Sequence, residues 1–314
     1  MLRERTQTGV PVPILPPELL SHIFSFVDSR STLSHISRCS RLFYDEATPF
    51  LYRRLGIRPQ TNRDLYPRLQ HLITVFMRRP ALADYVRHLS IGPRFDDCVF
   101  DEVIPEELPP EVKAIVDHPD RRLSKDEKTV WLDGYAEGSD DAAVGVLLCL
   151  LPRLRSLDLE PGSSVPSVLH VLSSSSPQSF RELQDICWFG TEDLSQTTEK
   201  VMFTLPAARR AFFHYAESQP DGVSVLHDLP SRSSSIEQIE LRRSRLNDHD
   251  MSDILRVPRS LTSFIYDMAE ANLLEETSSV GTIRQGLDLH KASLETLCLA
   301  SDDESSSTRS TKAC

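Results

Sequence analysis

Between residues 14 and 27 the run Ile14-Leu15-Pro16-Pro17-Glu18-Leu19-Leu20-Ser21-His22-Ile23-Phe24-Ser25-Phe26-Val27 places apolar residues three and four apart, the spacing of a helix face. Proline suits a first helical turn and Glu18 suits the positive helix end, so the pattern predicts a helix beginning near Pro16. Phe26 extends the apolar surface beyond a single core-facing stripe, and part of that surface therefore calls for an outside partner. Asp28-Ser29-Arg30 breaks the pattern. Ser31 can then cap a second short helix through Leu33 and Ile36, and Ser40 a third through Leu42, Phe43 and Ala47, with Pro49 ending or restarting it. Three short helices bury little apolar area by themselves, so such a module needs a partner or a neighbouring domain.

Farther along, the period changes. Leu69, Leu72, Ile73, Phe76 and Met77 keep helical spacing, and Val86-Arg87-His88-Leu89-Ser90-Ile91 then alternates as a strand does. An L-x-x-L-x-L pattern follows in successive copies: Leu154, Leu157, Leu159; Leu183, Ile186, Trp188; Ile236, Ile239, Leu241; Leu261, Phe264, Tyr266; Leu294, Leu297, Leu299. A poorer copy, Ala208, Ala211, Phe213, fills the gap between the second and third of these. Start positions 154, 183, 208, 236, 261 and 294 are separated by 29, 25, 28, 25 and 33 residues. That spacing is close to the roughly 20–29 residues of leucine-rich repeats, although the asparagine of the standard repeat is missing. Helically spaced segments lie between, such as Val144, Leu147, Leu148 and Leu151, or Val168, Leu169, Val171 and Leu172, or Met251, Ile254 and Leu255. Each unit reads as helix, loop, strand. Such a unit cannot cover its own apolar face, so stacking is expected to build a curved parallel sheet with helices outside.

Charge divides the chain in the same place. Residues 1–90 hold 13 Arg, no Lys and 7 Asp or Glu, a net of +6; with −11 for the whole chain, residues 91–314 carry −17. An acidic body speaks against nucleic acid as its main partner, and the scattered arginines of the head lack an accompanying aromatic set. From Pro93 to Asp141 there are 15 Asp or Glu against 6 Lys or Arg and few apolar positions, which predicts an exposed acidic insertion. Asp96-Asp97 with Asp101-Glu102 lacks the alternating ligands and glycine of a calcium loop, so no metal is expected. Cys39, Cys98, Cys149, Cys187, Cys298 and Cys314 contain no CxxC pair and read as cytoplasmic or nuclear thiols. No segment approaches the roughly 18 apolar residues of a membrane helix, and the opening lacks a signal-peptide core, so an intracellular protein is expected. There is no nucleophile elbow, phosphate loop, zinc-protease motif or dinucleotide fingerprint. The cluster Asn247-Asp248-His249-Asp250 with Asp253 reads as a polar repeat loop, so neither catalysis nor a cofactor is expected.

In the head, Leu15-Pro16-Pro17-Glu18-Leu19-Leu20 followed by Ile23-Phe24-Ser25-Phe26-Val27-Asp28 resembles the opening of an F-box. Ser31-Thr32-Leu33-Ser34-His35-Ile36-Ser37-Arg38-Cys39-Ser40-Arg41-Leu42-Phe43 is similar to its later helices, and Ala47-Thr48-Pro49-Phe50-Leu51-Tyr52-Arg53 to the ending common in fungal members. Many members carry Trp where this chain has Leu42-Phe43. The resemblance implies a trihelical module that binds the Skp-type adaptor of a cullin ubiquitin ligase. Carried over by position, Leu15, Pro16, Leu19, Leu20, Ile23, Phe24 and Leu33 are the adaptor-binding candidates, while Ile36, Leu42 and Phe43 hold the helices together. The repeats likewise resemble the leucine-rich body attached to many F-box proteins.

These readings combine into an α/β chain with a disordered N-terminus over 1–13, an F-box over 14–55, and a helix and first strand over 56–92. The acidic insertion over 93–141, the leucine-rich-repeat-like body over 142–300 and a disordered tail over 301–314 complete it. The function expected is a substrate receptor of a ubiquitin ligase, with an F-box scaffold that promotes no ubiquitination as the alternative. If the L positions face the core, alternate residues face away. Asp158, Cys187, Phe212, Glu240, Ile265 and Cys298 are thus the target-binding candidates, flanked by Ser156, Asp185, Arg210, Gln238, Ser263 and Thr296.

Overall fold

A computed structural model describes residues 15–58, 65–92, 108–118, 123–159, 171–172, 180–189, 196–218, 224–268 and 278–301. The chain separates into two units, Met1–Arg54 and Leu55–Cys314. The segments expected to be disordered, 1–13 and the tail beyond residue 301, lie outside the described residues, as do Asp96, Asp97, Asp101, Glu102, Val168 and Leu169.

Three helices form the first unit: α1 (Pro17–Ser25), α2 (Arg30–Ser37) and α3 (Arg41–Arg53). Pro17 opens α1 at a position whose N–H would have no intrahelical acceptor. The second helix starts two residues earlier than expected because Ser29, not Ser31, caps it, accepting from the Thr32 N–H at 3.3 Å. Ser40 caps α3 through the Phe43 N–H at 3.1 Å, as expected. Pro49 neither ends nor restarts α3, which continues to Arg53. Phe50 and Leu51, just beyond the proline, pack on the unit's core, and that packing holds the helix together where its ladder lacks an N–H. The core comprises Leu20, Phe24, Leu33 and Ala47, ringed by Val27, Ile36, Leu42, Phe43, Phe50 and Leu51. Phe24 meets Phe43 edge to face at 5.7 Å.

The second unit is built on a sheet of eight strands whose spatial order is their chain order. They are β1 (Arg54–Ile57), β2 (His88–Ile91), β3 (Ser156–Leu159), β4 (Asp185–Phe189), β5 (Arg210–His214), β6 (Gln238–Ser244), β7 (Ser263–Met268) and β8 (Thr296–Ser301). Every pairing from β2 to β8 is parallel. Helices α4 (Leu65–Arg78), α5 (Pro80–Ala83), α6 (Pro110–Val116), α7 (Lys125–Ala136), α8 (Asp140–Cys149), α9 (Gln196–Thr204), α10 (Asp248–Arg256) and α11 (Val280–Asp288) lie between strands in the chain.

The expected copies superimpose in register, and the poor one takes its place as β5. Leu157 pairs with Ile186, Ile186 with Ala211, Ala211 with Ile239, Ile239 with Phe264 and Phe264 with Leu297. From β3 to β7 these positions and their partners two residues on are fully buried, the continuous core that stacked units require. Each unit begins with the same backbone fork. The carbonyls of Arg87, Arg155, Gln184, Arg209, Glu237 and Thr262 each accept two successive N–H groups of the next unit, at 2.7–3.2 Å. Side chains add ties where an asparagine is missing: the hydroxyl of Ser235 donates to the Ala208 carbonyl at 3.0 Å, and that of Ser293 to Leu261 at 2.8 Å. Both serines precede the first L position of their own copy and reach the first L position of the copy before.

The expectation of an exposed insertion over 93–141 is corrected over much of its length. Helix α6 buries Val112 and Val116, and α7 buries Trp131 and Tyr135. Trp131 lies against Gly145 of α8 and donates its Nε1–H to the Ala142 carbonyl at 2.9 Å. Both helices touch α8, and α7 starts with a capping box, Ser124 with Glu127. Each buries a single pair of residues four apart, so its apolar content stays low although it belongs to the fold. Strand β1 was not expected: Leu55 and Ile57 are its only buried residues, too short a run to signal alternation.

Candidate functional site

Two surfaces carry side chains that folding alone does not explain. On α1 two stripes diverge. Leu20 and Phe24, four residues apart, point into the three-helix core, and Leu33 joins them from α2. These three adaptor-binding candidates are corrected to core residues of the unit, because the helix turns the second leucine of Leu19-Leu20 inward and leaves the first outside. Leu19 and Ile23, also four apart, stay about half exposed at 49 % and 48 %; Leu15 and Pro16 precede them and are exposed. Phe26 extends this outer stripe at 72 % exposure, its ring edge-on to His22 at 4.9 Å. Four apolar side chains thus line one outer surface of a unit whose own core is already closed.

The second surface is the sheet face turned away from the core. Strand pairing joins Asp158, Cys187, Phe212, Glu240, Ile265 and Cys298 into one row, each Cα opposite the next. The structure thus brings all six target-binding candidates together, every one half-buried. The flanking row Ser156, Asp185, Arg210, Gln238, Ser263, Thr296 runs beside it in the same register. Within it Arg210 spans to Asp185 on the next strand with two charge-assisted bonds, Nε to Oδ1 at 2.5 Å and Nη2 to Oδ2 at 2.6 Å. That bond raises the Arg210 pKa above its usual value.

A third row, which was not singled out from the sequence, lies at the C-terminal ends of the strands. Phe189 stacks on His214 with centroids 4.4 Å apart. Burial lowers the His214 pKa below the ordinary imidazole value, with Glu240, Arg242, Arg243 and Asp267 contributing opposing fields. Arg242 Nε donates to Glu240 at 2.5 Å, which raises the arginine pKa. Beyond this row β6 bulges at Arg243, whose φ is 47°. The turn aims its guanidinium at Tyr215, where Nη1 donates to the phenol oxygen at 3.0 Å. The only signal for this row in the sequence is its place one residue beyond each third L position, two beyond the outward central residue.

The polar cluster at 247–253 has local roles. Asn247 caps α10 by accepting from Asp250 N–H at 2.9 Å, Asp248 accepts from Ser279 N–H at 2.6 Å, and Asp253 pairs with Arg256 at 3.0 Å. The backbone bond holds the Asp248 pKa below its usual value. Among the described residues no helix is long and apolar enough to cross a membrane.

Comparison with known families adds one match: residues 12–58 fit the F-box-like family model. That segment takes in all three helices of the first unit. F-box domains typically bind Skp-type adaptors. The body carries no family match of its own. No curated protein matches the chain.

Proposed function

We propose that the protein is a substrate receptor of a Skp-cullin-F-box ubiquitin ligase. The observation that carries this reading is the outer stripe of α1, Leu15, Leu19, Ile23 and Phe26, exposed on a unit that matches the F-box-like family and has a separate core. In this reading the stripe docks on a Skp-type adaptor, and through it on a cullin. The body is an irregular leucine-rich-repeat solenoid. Its strictly sequential parallel sheet and repeated backbone fork support that assignment. The open face of the sheet then selects a protein target in the cytoplasm or nucleus. The chain performs no bond-making itself; it contributes proximity by holding the target near the ligase's other subunits.

The test is affinity purification of the full chain from cells, with mass spectrometry, beside a Leu19→Ala, Ile23→Ala variant. The wild type is expected to retain adaptor and cullin, and the variant to lose both while keeping the target proteins. A full chain that captures adaptor without cullin would instead support an F-box scaffold outside the ligase.

A further inference from the structure

We propose that the open sheet face reads an extended, polyproline-like segment of its target bearing one basic side chain and two large apolar side chains at three-residue intervals. This rests on the reading that the open face binds the target, and adds the chemistry of what binds there.

Spacing comes first. Asp158, Phe212 and Ile265 occupy the same row, two strands apart in each case. At about 4.8 Å between neighbouring strands, the steps from Asp158 to Phe212 and from Phe212 to Ile265 are each roughly 9.6 Å. A polyproline helix advances about 3.1 Å per residue with three residues per turn, so it repeats the same face every ~9.3 Å. A β-strand repeats a face every ~6.7 Å and an α-helix every ~5.4 Å, and neither meets the step in one repeat. A segment laid across the strands in polyproline form therefore presents residues i, i+3 and i+6 to these three positions.

Chemistry comes second. Phe212 and Ile265 are large apolar side chains on the face that the core does not use, and both remain half-exposed. Most other charges of the face are matched internally, Arg210 with Asp185 and Arg242 with Glu240, with Arg242 also in the field of Asp267. Asp158 differs. Its hydrogen-bond partner is the Ser156 hydroxyl, its charged neighbour is Asp185, and among the described residues no cationic group acts on it. Burial and the like charge raise its pKa, so the ionised carboxylate is held at a cost to the fold that an incoming Lys or Arg relieves.

The experiment probes the full chain against an array of proline-rich nine-residue peptides carrying Arg with Leu three and six positions away, in both chain directions. Control peptides move the Arg by one residue or replace it by Glu. The three-residue pitch is expected to bind in one direction. Moving the Arg should weaken binding at least tenfold, and Asp158→Lys should reverse the preference to the Glu peptide. Asp158→Asn, which keeps the shape, should erase the Arg preference if the lysine variant does not fold. Binding that ignores Arg, or that keeps its preference in both Asp158 variants, overturns the proposal. Should such binding still be lost in Phe212→Ser and Ile265→Ser, the open-face reading survives without it. Binding indifferent to all three positions removes both. Absence of binding to every peptide overturns the proposal alone, and the target proteins retained in the affinity purification then decide the open-face reading.

Discussion

The two stripes of α1 make opposite predictions for substitutions one residue apart. Fully burying a Leu or Ile side chain contributes roughly 1.5–3 kcal/mol, and Leu19 and Ile23 keep 49 % and 48 % of their surface exposed. Truncation to Ala therefore costs the fold about 1 kcal/mol at each position. At an interface centre the same truncations cost about 2 kcal/mol or more each, so the double variant Leu19→Ala, Ile23→Ala loses roughly 4 kcal/mol of adaptor binding. At about 1.4 kcal/mol per tenfold, that is close to a thousandfold in Kd. Leu20→Ala and Phe24→Ala act on the core instead, at about 2–5 and 3–5 kcal/mol, in a unit with few other buried residues. The assay is calorimetric titration of the full chain with a purified Skp-type adaptor, alongside thermal melting of each variant. The expected result is lost binding with the fold weakened by only about 2 kcal/mol for the outer pair, and a larger fall in the melt for the inner pair. A folded outer double variant that binds at wild-type affinity refutes the assignment of the stripes.

Gly145→Ala places a Cβ 2.6 Å from Trp131 Cζ2 and should cost about 1–3 kcal/mol by overpacking, read as a lowered denaturation midpoint. His290, buried beside the segment that leads into β7, accepts from the Leu261 N–H at Nδ1, 3.2 Å away, which assigns Nε2 as the proton carrier that donates to the Leu255 carbonyl at 2.7 Å. His290→Ala leaves two buried backbone groups without partners, roughly 3 kcal/mol, with faster hydrogen exchange expected at the Leu261 N–H. Asp158 has its folded pKa raised, so its contribution to stability is fully present in acid below the ordinary carboxylate value and is lost as pH rises through the folded pKa. Asp158→Asn should therefore be the more stable form at neutral pH, with the difference closing in acid; an unchanged gap between the two conditions would show that the charge is not responsible.

Strand phase was legible because alternation has a period of two, and a single correct position orients every other side chain of the strand. Even Ala208, Ala211 and Phe213, poor as a leucine pattern, fell into register once their neighbours were placed. What escaped was structure carried by few residues. Strand β1 buries only Leu55 and Ile57, and α6 only Val112 and Val116. A local signal for α7 was present in Ser124-x-x-Glu127, the start of a capped helix, but the acidic composition around it outweighed four letters. Composition reports how much of a segment is apolar; it does not report whether two residues four apart share a face that fits Ala142 and Gly145.

For the interaction surfaces the limit was contact between distant residues. The row from Asp158 to Cys298 follows from alternation, but the pairing of Arg210 with Asp185 spans 25 residues and exists only because β4 and β5 align as they do. That alignment neutralises one acid of the face and leaves Asp158, among the described residues, as an acid with no cation acting on it. Context decides burial as well. From β3 to β7 the second and third L positions are closed off, yet in β8 Leu297 and Leu299 are 50 % and 44 % exposed with the same letters in the same register. An L position is covered from the side of the next unit, and β8 stands at the end of the sheet order, so the motif states which way a side chain points while the following unit determines whether it is buried.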